Sequence, residues 1–234
     1  MITLFDDYTA NMTNTDQQLD DETKIINEYL GCFQKKALVL EAPWEDDVFT
    51  FRSVFPFFAN LSNMISTEVQ IGFRSIDSSQ SLYSYIKYPG GSLWSQPQIY
   101  GTTCFLIETH ANSKLGILTP QDNISRKEII ENFKGFGQFP NILVFGGCGL
   151  FGGSKGKDFG RTLLAESGTR GVFGYTCDEL SWYHAGIIEF ILLSKFYLFD
   201  DGDPFLNLVT IYEKVLYDYP IAASNEIGFT LFCE

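Results

Sequence analysis

Two residue types in this chain can carry nucleophilic chemistry near neutral pH. Histidine occurs at His110 and His184, and cysteine at Cys32, Cys104, Cys148, Cys177 and Cys233. His110 directly follows the apolar run Thr102-Thr-Cys-Phe-Leu-Ile-Glu-Thr109. Cys148 follows Asn141-Ile-Leu-Val-Phe145 through Gly146-Gly147. A thiolate is a strong nucleophile, and an imidazole beside it supplies first a base and then an acid. The flanking glycines let a substrate backbone approach the sulfur, and they leave amide N–H groups free to face a developing oxyanion. Seven glycines fall among residues 146–160, so Gly149 to Gly160 is expected to be a mobile loop beside the sulfur. The pairing works only if the two preceding runs are neighbouring strands, about 4.8 Å apart, ending on the same side.

The elements that must position them alternate from Ala37 onward. Strands are predicted at Ala37–Glu41, Val69–Phe73, Thr102–Thr109, Asn141–Phe145, Gly171–Tyr175 and Ile227–Phe232, with a small hairpin returning at Leu115–Leu118. Helices are predicted at Phe49–Ile65, Ser79–Tyr88, Ser125–Phe136, Asp158–Glu166, Asp178–Phe199 and Pro204–Tyr219. Ser125 with Glu128 forms a capping-box signature, and Pro204 suits a first helical position. Such alternation implies an α/β fold with a six-stranded, mostly parallel sheet and helices on both faces. The last strand is expected antiparallel, at or near one edge.

Competing sites are weaker. His184 falls inside a predicted helix. Cys104 and Cys177 lie in or beside strands and read as core, and Cys32 and Cys233 have no histidine nearby in sequence. Asp178 either caps the long helix or contacts a substrate. Gly147-Cys-Gly149-Leu-Phe-Gly152 formally fits a dinucleotide fingerprint, but Gly153 to Lys157 is expected to separate it from its helix. A Walker A loop fails, because Phe151 stands where glycine is required and Asp158 where Ser or Thr is. Asp200-Asp-Gly-Asp203 lacks the later glutamate of a calcium loop and reads as a turn.

Composition bounds the function. The 234 residues suit one large domain, and 45% apolar content supplies an ample core. The net charge of −13 repels phosphate and anionic lipid, which argues against direct nucleic-acid or membrane partners. No apolar run is long enough for a spanning helix, and Met1 to Thr15 lacks the basic start of a secretory signal. Five cysteines without CxxC or CxxH pairs argue against a disulfide framework or zinc cage, so the reading is a cytoplasmic protein with reduced thiols and no metal or cofactor. Residues 1–36 form an acidic N-terminal extension with one helix predicted at Asp20–Phe33. Residues 37–234 form the main domain.

The segments Phe105-Leu-Ile-Glu-Thr-His110 and Asn141-Ile-Leu-Val-Phe-Gly-Gly-Cys148-Gly149 carry a resemblance. Gly171-Val-Phe-Gly-Tyr-Thr-Cys-Asp-Glu-Leu-Ser-Trp182, leading into a long helix, adds to it. From Ala37 to Glu234 the chain resembles the caspase-like cysteine peptidases, especially the CHAT branch that includes separase-type and bacterial defence-associated proteases. The resemblance implies a three-layer caspase-like sandwich and an endopeptidase acting on a protein substrate. His110 would be general base and acid, Cys148 the nucleophile, and the backbone N–H groups of Cys148 and Ala111 the oxyanion hole. The family usually has glycine at position 111. Gly146 stands where relatives often carry a polar or acidic pocket residue, so it implies no charge preference by itself. Asp178 and Trp182 fall near the expected specificity pocket, the first favouring a basic side chain beside the scissile bond and the second forming a wall. Bacterial relatives often serve antiviral defence or cell death, and the small size suggests a regulatory protein partner. Two alternatives stand beside this reading: a non-catalytic peptide-binding module of the same fold, and a dinucleotide-binding enzyme.

Overall fold

The computed structural model describes residues 36–42, 53–59, 61, 69–87, 91, 102–135, 142–198 and 207–233. In chain order the strands are β1 (Lys36–Glu41), β2 (Gln70–Ser75), β3 (Thr102–Glu108), β4 (His110–Asn112), β5 (Gly116–Leu118), β6 (Asn123–Ile124), β7 (Ile142–Phe145), β8 (Gly171–Tyr175) and β9 (Phe229–Cys233). The helices are α1 (Phe55–Ala59), α2 (Ser79–Ile86), α3 (Arg126–Phe133), α4 (Gly153–Ser167), α5 (Trp182–Leu198) and α6 (Leu208–Asp218). Six strands make the main sheet in the order β2-β1-β3-β7-β8-β9, and β4-β5-β6 form a small antiparallel sheet. The main sheet is parallel except for β9, which runs antiparallel to β8 at an edge.

The two-residue period of each strand splits its side chains between two apolar layers. Val39, Leu106, Val144 and Phe173 join one core with α5 and α6; Leu40, Ile107, Phe145 and Val172 join the other with α2, α3 and α4. β1 and β7 are buried along their whole length, which is why they read as unbroken apolar runs. The expected α/β sandwich is the architecture observed. No helix among the described residues is long and apolar enough to cross a membrane.

Helix boundaries depart from expectation in instructive ways. α4 opens at Gly153, five residues before the predicted Asp158, so most of the glycine-rich segment is helix rather than loop. Two of its glycines, Gly156 and Gly160, serve close packing. A methyl group on Gly156 would overlap the Phe151 backbone, and one on Gly160 would stand 2.5 Å from the Phe232 ring. α5 opens at Trp182, where Ser181 O accepts from Ala185 N at 3.1 Å, so Asp178 is not its cap. α6 opens at Leu208 because Asn207 Oδ1 accepts from Val209 N and Thr210 N. The helix predicted at Phe49–Ile65 is helical at Phe55–Ala59 within the described residues. Lys36, the last residue of the expected N-terminal extension, already belongs to β1; residues 1–35, Pro204 and the expected Asp200–Asp203 turn lie outside the described residues.

α3 begins where the capping signature placed it. Ser125 Oγ accepts from Glu128 N at 3.3 Å, and Glu128 Oε2 accepts from Ser125 N at 2.8 Å. The next residue, Arg126, donates from Nε to Leu150 O at 2.9 Å and so ties α3 to the loop after β7. Ser125→Ala is expected to cost about 1 kcal/mol of stability, read as a lower urea midpoint with unchanged slope.

Candidate active site

The parallel register aligns the strand ends across the sheet. Glu41 pairs with Glu108, and extending the β3–β7 and β7–β8 registers by one and two residues places Gly146 and Tyr175 in the same row. All four positions belong to the face that packs against α5, because each lies an even number of residues from Val39, Leu106, Val144 or Phe173. One further step along the chains lies the rim that carries His110 and Cys148.

His110 opens β4, exposed, immediately after β3 has ended. Cys148 sits in the turn after β7, 8% exposed. Gly146 N donates to Ile107 O at 3.0 Å, carrying the β3–β7 ladder to the start of that turn. A methyl on Gly147 would stand 3.4 Å from Ala111 N and 3.1 Å from Thr109 O, so the segment bearing His110 and the segment bearing Cys148 pack backbone to backbone. Gly147 is the residue that permits this approach. Ala111 lies in extended β4, a conformation open to any residue, so the usual glycine is not needed there. Gly149 turns the chain with φ of 61°, and its missing side chain makes room for Asp178 Oδ1.

The sulfur is covered by the segment after β8. Leu180 N donates to Cys148 Sγ at 3.2 Å, and Sγ lies 3.7 Å from Leu180 O. Burial raises the Cys148 thiol above its ordinary range; the Leu180 N–H opposes this, and the charges of Asp178 and Glu179 add to it. In this covered arrangement the thiol is protonated at neutral pH. Asp178→Asn with Glu179→Gln removes two raising charges, so iodoacetamide should alkylate Cys148 severalfold faster at pH 7.5 in the double variant. An unchanged rate, with the site of labelling confirmed by mass spectrometry, would contradict the electrostatic account.

Behind the turn that carries Cys148 stand carboxyls to which no sequence motif points. Glu108 and Glu189 are both fully buried, and Glu41 is 4% exposed. A methyl on Gly146 would overlap Glu108 Oε2, so the Glu108 carboxyl fills the space that a side chain at 146 would take. Tyr175 donates its hydroxyl to Glu189 Oε1 at 3.0 Å. Glu41 accepts from Ser53 Oγ at 2.5 Å and Val54 N at 2.7 Å. Both Glu108 oxygens and Glu189 Oε2 lack a partner by strict geometry, but the Glu108 and Glu189 carboxyls lie within hydrogen-bonding reach of each other, with a proton on Glu108 able to bridge them. Burial, then neighbouring negative charge, pushes Glu108 well up, and burial also raises Glu189. The missed signal was the register itself: Glu108 stands two residues before His110 on the α5 face.

Trp182 lines a cavity of about 310 Å³ with Ser53, Pro56 and Phe57. Asp178, expected to contribute to the same pocket, instead faces Gly149, and the cavity lining does not include it. His184 is engaged elsewhere, with Nδ1 2.8 Å from Tyr219 Oη. Cys104 and Cys177 are buried free thiols. For the glycine fingerprint one expected obstacle is absent, since Gly152 directly precedes α4. The loop is nonetheless closed to a dinucleotide on its own terms. Leu150 and Phe151 are fully buried within it, and Arg126 Nε and Nη2 take the Leu150 carbonyl. Among the described residues, no group of histidine, cysteine and acidic side chains could hold a metal ion.

No protein-family model matches this chain, and neither does any curated protein.

Proposed function

We propose that the chain is a cysteine endopeptidase in which Cys148 is the nucleophile and His110 the general base and acid. The observation that supports this reading is the juxtaposition at one rim: neighbouring strands β3 and β7 end together, one leading into the imidazole and the other into the thiol, with Ala111 N against Gly147. His110 removes the thiol proton. The sulfur attacks the scissile carbonyl, and the Cys148 and Ala111 N–H groups receive the oxyanion. His110 then protonates the leaving amine, and water, deprotonated by the same imidazole, releases the acyl group. The covered thiol requires that the segment Cys177 to Ser181 withdraw as an extended protein substrate enters, or as a regulatory partner binds. The defence or cell-death setting rests on the sequence resemblance alone.

One observation favours the second reading, a peptide-holding module without catalysis: the resting thiol is capped and protonated. Unbiased peptide-library cleavage separates the two. Wild-type protein should cut where Cys148→Ala protein does not. A wild type that holds peptides but leaves them intact, with or without candidate regulators, would overturn the peptidase reading.

A further inference from the structure

Cys148 has a second thiol beside it. In the β7–β8 register Val144 faces Phe173, and four more residues along each chain bring Cys148 level with Cys177. Four is an even step, so both side chains keep to the face that packs against α5, and both belong to that core. The two segments stay together beyond the strand ends. A methyl on Gly149 would stand 3.4 Å from Asp178 Cα, and Phe151 N donates to Tyr175 O at 3.2 Å. Facing residues of neighbouring strands lie about 4.8 Å apart, inside the span of about 4.4–6.8 Å that a disulfide bridges between Cα atoms.

One turn serves both sulfurs. The N–H of Glu179 faces the Cys177 sulfur, and the next N–H, that of Leu180, donates to the Cys148 sulfur at 3.2 Å. Consecutive amides thus hold the two sulfurs side by side. Both thiols are free, at 8% and 9% exposure, whereas Cys104 is fully buried. So small an opening suits an oxidant as compact as a hydroperoxide. Burial, and next the charge of Cys148, push the Cys177 thiol up to about 11. Cys148 is therefore the thiol that meets the oxidant, and Cys177 the one that resolves the product.

We infer that Cys148 and Cys177 are a dithiol oxidised by hydroperoxides, and that the disulfide between them removes the nucleophile and ties the segment Cys177 to Ser181 over the rim. The effect on cleavage rests on the peptidase reading of Cys148, and the bridge names how that site is turned off. The Cys148 sulfur attacks one oxygen of the hydroperoxide. An S–O bond forms, the O–O bond breaks, and the departing oxygen takes the thiol proton to leave as water or an alcohol. The Cys177 sulfur then attacks the sulfenic sulfur. An S–S bond forms, the S–O bond breaks, and the hydroxyl leaves as water with the Cys177 proton. Two thiols lose two electrons, and the hydroperoxide gains them. A dithiol reductant reverses the bridge by exchange, and the bridge spares Cys148 further, irreversible oxidation to sulfinic acid.

The test treats the full chain with hydrogen peroxide, blocks the remaining thiols with N-ethylmaleimide and digests with trypsin without reduction. Mass spectrometry should find residues 135–155, which carry Cys148, linked to residues 171–195, which carry Cys177. The oxidised chain before blocking should be about 2 Da lighter. Cleavage of library peptides should fall to background and return with dithiothreitol to at least about 80% in wild type, but to less than about 20% in Cys177→Ala, whose Cys148 carries two added oxygens. Thermal melts confirm that the variant folds; if it does not, the linked peptides of the wild type decide. Wild-type Cys148 recovered as sulfinic acid, or bridged to Cys32, Cys104 or Cys233, would overturn the inference, as would equal recovery in Cys177→Ala. A wild type that forms the bridge but cuts no peptide before oxidation would support the dithiol and sink the peptidase reading. Cleavage that depends on Cys148, in a protein that forms no bridge, would do the reverse.

Discussion

Alanine at Cys148 should reduce peptide cleavage to the solvent background, and alanine at His110 should lower kcat/KM by about 10²–10⁴-fold. In the proposed mechanism the first removes the atom that forms the acyl intermediate. The second removes proton transfer in both half-reactions, and a positioned acid–base group supplies a factor of that size. His110 is exposed, so His110→Ala should melt close to wild type; a loss of activity then cannot be assigned to unfolding. Because burial and the nearby acids hold the Cys148 thiol above its ordinary range, activity of the wild type should climb on the alkaline side of neutrality. Cleavage by the Cys148→Ala protein at the wild-type rate would end the assignment. So would labelling by a peptide electrophile that is indifferent to His110.

Glutamine at Glu189 should make the protein more stable at pH 8, by roughly 1–3 kcal/mol, and should flatten its stability profile between pH 5 and 8. In the unfolded chain this carboxyl loses its proton near the ordinary value of 4.5, whereas in the fold it keeps the proton up to about 8. Between those values the folded state holds more protons than the unfolded state. Wild-type stability must therefore fall as pH rises, by as much as ~1.4 kcal/mol per unit for each such group, with the slope fading above the folded value. The glutamine amide keeps the shape, can still accept from the Tyr175 hydroxyl, and carries no charge to desolvate. Urea unfolding at closely spaced pH values measures both curves. A wild-type profile that is level or rising from pH 5 to 8 would refute the buried-proton account.

Much of the frame was legible because strand burial writes itself into composition. Leu38 to Leu40 and Ile142 to Phe145 are covered on both faces, and continuous apolar runs are what that environment demands. The capping pair Ser125 and Glu128 was readable for a local reason, since the cap involves atoms only three residues apart. Helix starts were less secure where glycine was read as flexibility. Gly153, Gly156 and Gly160 open α4 or pack it against Phe151 and Phe232, contacts that no local pattern announces.

The sequence by itself determined the alternation of elements, the layers they form, and the presence of a histidine and a cysteine each following a strand. Only the tertiary structure decided that Glu41, Glu108 and the space at Gly146 fall in one row, that Glu189 reaches the pair from α5, and that Leu180 covers the sulfur. The physical reason is that periodicity reports the face a side chain takes on its own element. Which groups share a buried space depends on strand order and register, set by pairing between segments dozens of residues apart.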